Sequence, residues 1–460
     1  GNGSLNPYAA APWVIGVGAT SANGSLAGFS SRSGFGSPLR PSLVAPGVNI
    51  ASLRTVGTVT GATGVVAADS ERLSLTELPY YTTASGTSFS APQVAGAVAM
   101  MLEADPSLSP AEIKDILMRT ATPMPKYFAH EAGAGMLNTH AAVLEAKFPE
   151  RRMGTFRATA GANAIRYITQ RLATFEQIIS PGTAGSHSVM IPPNTVQANF
   201  SVVWGPSAND FGLKVLTPAG NVAGESNYLN LAGLLGRRER VVLRSPAAQD
   251  FTISTSHTAG AGTSQAIIGA VDITRAEYPH LFDLAGIPAE TLDAAERTML
   301  TGIMLHQGPL FRPGHAVSRH DFAETMVRAG LSPQYVAAHP MFSDVQSKWQ
   351  RTAIESVQSA TGGALVYDAS PGGQFRPNHN TARLIAAVAF VRAAGLEAQA
   401  GSAVMPLSVT DASSIPPQWR GHVAVALSRG YLSLKEGRFE PGSPLTRGDL
   451  ALGLVALLGF

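Results

Sequence analysis

The sequence contains no cysteine, so it offers no disulfide and no thiolate metal site, a composition that suits many bacterial exported proteins without fixing a compartment. It has no excess of charge of one sign. Its 33 lysines and arginines stand against 31 aspartates and glutamates, with no basic run and no aromatic platform, which argues against a nucleic-acid partner. No stretch approaches the roughly 18 apolar residues needed to cross a bilayer, and no membrane span is expected. Initiating methionine and signal peptide are also missing, and the first residues read as the interior of a domain, so the sequence is expected to be the C-terminal part of a longer protein. The 460 residues that are present suffice for about three domains.

One segment carries chemistry on its face: Gly86-Thr87-Ser88-Phe89-Ser90-Ala91-Pro92-Gln93-Val94-Ala95-Gly96, a serine between glycines that runs into an apolar helix expected over about Ala91 to Glu103. A Gly-Thr-Ser before a helix is ordinarily a simple N-cap. A hydroxyl there also sits beside unpaired backbone N–H groups and the positive end of the helix dipole, where an oxyanion would be stabilised. Small residues through the first turn let it lie close to other backbone. The whole string resembles the nucleophile motif of the subtilisin-like serine proteases, and other segments follow in that family's order. These are the strand runs Val14–Thr20 and Val44–Ile50, the capping box Ser109-Pro110-Ala111-Glu112, and the glycine turn Gly133-Ala134-Gly135 before a last helix over about Thr139 to Ala146. The Ser88 helix is apolar on nearly every face and is expected to be buried in a domain core.

A serine nucleophile needs a base and a carboxylate that orients it. The resemblance implies the order Asp, His, Ser, with an oxyanion-binding asparagine between His and Ser. Gly1-Asn2-Gly3 matches that asparagine segment, which makes Asn2 the expected oxyanion donor, although Gly-Asn-Gly is also an ordinary turn. An insertion over about Val56 to Thr76 accounts for the long separation of Asn2 from Ser88. None of the eleven histidines lies in a His-Gly-Thr setting; His130 and His140 follow the serine. Asp and His are therefore expected upstream of this chain, which alone should be inactive. No cofactor is expected, and calcium is reserved for the part of the domain that lies outside the chain.

Near Glu150-Arg151-Arg152 the pattern changes from helical to alternating. Phe200 to Trp204, Phe211 to Leu216, Val241 to Arg244 and Phe251 to Ser256 read as short strands separated by turns such as Thr217-Pro218-Ala219-Gly220-Asn221. The segment resembles the β-sandwich domains that follow the catalytic domain in many secreted proteases. Asn209 and Asp210 are read as turn formers, and no metal is assigned to them.

From about residue 278 the chain is helical again and repeats itself: Phe311-Arg312-Pro313, Phe375-Arg376-Pro377 and Phe439-Glu440-Pro441 recur at intervals of 64 residues. Each is followed eight residues on by an arginine, Arg319, Arg383 and Arg447, in the first turn of an expected helix. Ser318 and Thr446 are in place to cap two of these helices; the middle copy, Thr381-Ala382-Arg383, lacks the cap. The repeats resemble S-layer homology modules, with entry segments at Phe342-Ser343-Asp344-Val345 and Val409-Thr410-Asp411. In that family three copies form a cell-wall-binding unit whose arginines recognise an anionic polysaccharide. A guanidinium fork suits carboxylate or phosphate, and three sites gain by avidity. The structural alternative is that the arginines pair only with Asp321, Asp449 or neighbouring carbonyls.

The expected architecture is multidomain. An α/β subtilisin-like partial domain spans residues 1–150, a β-sandwich 151–277 and all-α S-layer-homology-like repeats 278–460. The function implied is that of a serine endopeptidase, secreted and held at the cell wall, acting on a polypeptide substrate. The alternative is a catalytically inactive surface protein that binds wall polysaccharide.

Overall fold

A computed structural model describes residues 8–9, 11–33, 41–55, 69–151, 153–154, 163–227, 237–260, 262–345 and 347–459. Two compact units result: Ala164–Pro279, and a second that joins the residues up to Asn163 with those from His280 onward.

In the second unit, the first segment is built on the parallel pair β1 (Val17–Thr20) and β2 (Leu43–Pro46), in register Val17 to Leu43. Leu43, Ala45, Val94, Met101, Ile113, Leu117, Ala142 and Ala146 share its core. They bring together β2 and the helices Thr87–Ala104, Pro110–Thr120 and Thr139–Lys147. The second helix starts as its sequence demands, with the Ser109–Glu112 box closed in both directions and Pro110 at its first position. Gly133 and Gly135 are required by both conformation and space. At φ +59° and +127°, an added Cβ would lie 2.3 Å from the Ser42 carbonyl oxygen and 2.1 Å from that of Thr122. That turn lays Met136 beside Val44 and so extends the sheet edge.

The Ser88 helix departs from expectation twice. It starts at Thr87 rather than near Ala91, which places Pro92 inside the helix, where its missing N–H leaves the Ser88 carbonyl without an i+4 donor. It is also buried along one stripe only, Ser90, Val94, Ala97 and Met101, while Ala91, Pro92, Ala95 and Gly96 are exposed and Met100 is 45% exposed. An all-round apolar helix should be covered on all sides; among the described residues only one side finds a partner.

Within the stretch expected as an insertion, Asp69 is buried and ties β3 (Ile50–Leu53) and β4 (Tyr81–Ala84) together. Its carboxylate accepts from the Thr83 amide and hydroxyl at 2.8 Å, the Thr82 hydroxyl at 2.9 Å and Arg54 at 2.5 Å.

The Ala164–Pro279 unit contains two four-stranded antiparallel sheets. In strand order these are β10 (Arg238–Arg244), β7 (Thr195–Trp204), β12 (Gln265–Glu277), β5 (Arg166–Ile179), and β6 (Ala184–Met190), β11 (Asp250–Ala259), β8 (Asp210–Leu216), β9 (Val222–Ser226). Phe200 stands between Val241 and Val271 in the first sheet, Ile253 beside Val215 in the second, and all belong to one buried cluster. Asn209 is a latch: its side chain donates to the Thr263 carbonyl at 3.0 Å and meets His257 at 3.2 Å, while its carbonyl accepts from the Trp204 indole.

The repeats close into a ring. The Val317 amide donates to Leu445, that of Leu445 to Thr381, and that of Thr381 back to Val317, at 2.8–2.9 Å. Phe311, Phe375 and Phe439 are completely buried around it. Each phenylalanine is followed by a non-glycine residue at positive φ, Arg312, Arg376 and Glu440. An aspartate from the preceding turn, Asp283, Asp344 or Asp411, accepts the two amides of each pair and holds that conformation.

The repeats and the first segment pack as parts of one unit. Gln334, 1% exposed, donates to the Arg119 carbonyl at 2.9 Å, and its own carbonyl accepts from Asn138 at 3.4 Å. Val336 joins Met153 and Ala141 in a shared cluster, and Tyr335 stacks on His140. Gly330, at φ +70°, allows the approach, since an added Cβ would lie 2.2 Å from the Pro123 carbonyl oxygen.

Gly330→Ala is therefore expected to cost about 2 kcal/mol or more, combining left-handed strain with the clash, and calorimetry of the 460-residue chain checks it; an unchanged melting temperature would show that the contact does not hold. Asp69 supplies a pH dependence. The Thr83 amide, with the Thr83, Thr82 and Arg54 side chains, lowers its pKa to about 2, below the roughly 3.9 of an unfolded chain. Its contribution is thus present above pH ~4 and is lost as pH falls toward 2. Amide exchange at Thr83 should accelerate over that window, and Asp69→Asn should abolish the pH dependence.

Candidate active site and repeat junctions

Ser88 lies in the first turn of its helix with its side chain exposed. The turn is fastened to the end of β2. The Gly86 amide donates to the Gly47 carbonyl at 2.8 Å, and the Gly47 amide to Thr20, also at 2.8 Å. The Gln93 carboxamide donates to the Pro46 carbonyl at 2.7 Å and to that of Phe89 at 3.3 Å. Gly47 has no room for a side chain: an added Cβ would lie 2.2 Å from the Ser90 hydroxyl and 2.9 Å from the Gly86 carbonyl oxygen. Gly47, Ser90 and Gln93 position this turn; they lie within the quoted segments Val44–Ile50 and Gly86–Gly96, but the sequence assigns none of them a positioning role.

Such a turn presents a hydroxyl and the free amides of a helix start toward one side, which is the arrangement for attack on a carbonyl and stabilisation of the oxyanion that follows. Among the described residues the Ser88 hydroxyl makes no hydrogen bond, to histidine or otherwise. His130 is buried and stacked on Phe128, and His140 stacks on Tyr335. Asn2 falls outside the described residues.

The three repeat arginines occupy equivalent places. Each begins a helix, Arg319–Arg328, Arg383–Ala393 or Arg447–Leu458, and sends Nε to the phenylalanine carbonyl of the next repeat in the ring. Arg319 reaches Phe375 at 2.7 Å, Arg383 reaches Phe439 at 2.9 Å and Arg447 reaches Phe311 at 2.8 Å, each guanidinium also lying over that phenyl ring. Two of them are buried more deeply than a solvent-facing site would give, Arg319 at 3% exposed and Arg383 at 0%, while Arg447 is half-buried. Ser318 and Thr446 cap their helices, and Ala382 supplies no cap. Arg319 pairs with Asp368 at 2.8 Å and Arg383 with Asp449 at 3.1 Å.

Similarity to known families is found at both ends of the chain. Residues 1–140 match the model of the subtilase family, and residues 410–451 that of the S-layer homology domain. Subtilisin Savinase of Lederbergia lenta is 33% identical over 142 residues, 31% of this chain and 42% of that protein. An extracellular protease of Xanthomonas campestris is 34% identical over 134 residues, 29% of this chain and 20% of that one. The solved structure of MycP1 from Mycobacterium smegmatis is 28% identical, with 29% of this chain and 30% of that one covered and a TM-score of 0.21. The chain thus spans between a tenth and about two fifths of the length of these and similar curated relatives. No helix among the described residues is long and apolar enough to cross a membrane. One chain thus carries a match to the subtilase family over residues 1–140 and a match to the S-layer homology domain over residues 410–451.

Proposed function

We propose that residues 1–150 are the C-terminal part of a subtilisin-like serine endopeptidase domain in which Ser88 attacks the peptide carbonyl. The observation that carries this reading is the exposed Ser88 hydroxyl on a first helical turn pinned by Gly47, Gly86 and Gln93. Asn2 and the Ser88 amide hold the oxyanion. The Asp and His come from polypeptide outside this chain, which also covers the exposed stripe of the Ser88 helix. A base and an orienting carboxylate at that position would take the serine proton and return it to the leaving amine. No cofactor is proposed. A second reading, a surface protein with an inactive catalytic segment, draws on the lack of any base beside Ser88 among the described residues.

The second half of the proposal is anchoring. The β unit is a sandwich set between protease and repeats. The repeats hold the protein on the cell wall, outside the cell, by binding an anionic polysaccharide at the junctions that carry Arg319, Arg383 and Arg447. One feature supports a ligand there directly: Nη2 of Arg319 is buried and has no hydrogen-bond partner, an expensive state that an anion reaching it would relieve.

A fluorophosphonate probe should leave Ser88 of this chain unmodified over hours, as read by mass spectrometry of the peptide that contains it. Rapid labelling would overturn the assignment of Asp and His to other polypeptide. Coding sequence upstream of Gly1 separates the two readings: an Asp-Thr-Gly or Asp-Ser-Gly strand end and then a His-Gly-Thr helix start support the protease, and substitution at either residue supports the binding protein. For anchoring, the complete chain should pellet with purified bacterial walls and be released when the wall polymer is stripped. The complete chain is required because the repeats alone would expose the surface around Gln334; absence of retention removes the anchoring proposal.

A further inference from the structure

One arginine pattern is repeated in three electrostatic settings, so the chain contains its own control. At the junction of the second and third repeats every nitrogen of the Arg383 guanidinium is engaged: Nε with the Phe439 carbonyl, Nη1 with Asp449, and Nη2 with the Ser433 carbonyl at 2.5 Å. Lys435 shares the same carboxylate at 3.2 Å, and the residue after Phe439 is acidic, Glu440. An incoming anion would have to displace Asp449 from a completely buried cation. At the junction of the first and second repeats one carboxylate, Asp368, serves two cations, Arg319 at 2.8 Å and Arg376 at 3.4 Å.

The junction of the third repeat with the first is different. The position equivalent to Asp368 is occupied by Met304, and Arg447 bonds only to carbonyl oxygens, those of Phe311 and Leu305, both at 2.8 Å. No carboxylate is within ion-pair distance of it among the described residues. Arg312, which takes the place of Arg376 and Glu440, is half-buried and forms no ion pair and no side-chain hydrogen bond among the described residues. Asp283 is committed to the amides of Phe311 and Arg312. Asp321 is engaged by His320 and Ser318. Burial lowers the pKa of Arg447, and the neighbouring Arg312 charge lowers it further against the opposing pull of Asp321 and Asp283. Arg447 and Arg312, the residue after the phenylalanine whose carbonyl Arg447 holds, thus share a partly desolvated junction with no ion-paired carboxylate among the described residues, the setting in which an added anion gains most.

We infer that the three junctions named above are not equal: the junction of the third and first repeats, with Arg447 and Arg312, gives the polysaccharide its main grip through a carboxylate or phosphate group, whereas Arg383, named there with the others, serves the fold alone. This rests on the wall-binding reading above. In structural terms, Arg447 supplies a fixed donor already oriented by two carbonyls, and Arg312 a second donor free to close on the ligand.

The test uses the full chain with R312Q, R447Q and R383Q, each compared with wild type at temperatures where melting curves show it folded. R312Q is the decisive variant, because the Arg312 side chain has no partner to lose among the described residues. R312Q and R447Q should each weaken wall binding about tenfold or more, the effect of losing one charge-assisted hydrogen bond. R383Q should melt earlier yet bind like wild type while folded. Unchanged binding by folded R312Q, or a tenfold loss confined to folded R383Q, overturns the inference. A second readout needs no wall. Phenylglyoxal, followed peptide by peptide by mass spectrometry, should modify Arg447 and Arg312 ahead of Arg383, and inorganic phosphate should slow that reaction. Equal rates at the three arginines overturn the site whether or not the wild type binds walls; a wild type that binds none, with the reactivity order intact, removes the wall-binding reading instead. Walls stripped of phosphate and walls with amidated carboxyl groups name the group recognised, since the difference between wild type and R312Q should vanish in one of the two; persistence of that difference in both overturns the anionic ligand.

Discussion

The repeats depend on three backbone hydrogen bonds that no single repeat can make for itself. Val317, Thr381 and Leu445 each donate to the next in a closed cycle, and each arginine then fastens a helix start to the carbonyl of the neighbouring phenylalanine. Removing one repeat would leave a donor and an acceptor unpaired in a region packed with phenylalanine, at a cost comparable to that of burying an unsatisfied peptide group twice over. The conformations at Arg312, Arg376 and Glu440 follow from this closure. A chain that must turn sharply after a buried phenylalanine leaves two amides pointing at one spot, and an aspartate carboxylate fills it each time. Burial of the arginines is then a structural requirement first, and any ligand binding has to work with whatever donor capacity the ring leaves over.

The Ser88 region follows a different rule, that of close backbone approach. Its helix can start where it does only because Gly47 has no side chain and Ser90 is small. Gln93 adds a side-chain clasp from the second turn to Pro46. Pro92 in that second turn frees the Ser88 carbonyl from the helical ladder, so both ends of the Ser88 peptide unit escape ordinary helical bonding. The helix's other side, Ala91, Pro92, Ala95, Gly96 and Met100, takes no part in that approach and leaves an apolar stripe in contact with water.

Much of this was legible in the sequence where a residue type has a local reason to be there. The Ser109–Glu112 box, the glycine turn at Gly133 and the 64-residue period each state their own conformation, and each is found where it reads. The helix start at Thr87 was misplaced because proline is a strong start signal, and only the contact with Gly47 overrides it. Strand β12 carries a clear alternation of inward residues, Ile267, Gly269, Val271 and Ile273, yet its glycine hides it; that glycine makes room for the Phe175 ring opposite. The arginine contacts lay beyond reading because their partners are about 50 to 140 residues away and are mostly main-chain oxygens, which carry no sequence signature. Asp69 was hidden for another reason: its four donors, from Arg54, Thr82 and Thr83, are common residue types that converge on it only once β3 and β4 pair.

The contact around Gln334 has a mechanical meaning. The β unit leaves the other unit at Asn163 and returns at His280, and Asn163 is itself locked by the carbonyls of Met299 and Met304 and by the His306 amide. Tension applied between the repeats and the Ser88 segment would run through the junction of Gly330–Val336 with Arg119–Pro123, bypassing the eight strands between them in sequence. A load on the repeats would reach the Ser88 segment by a short route of side chains packed within one unit.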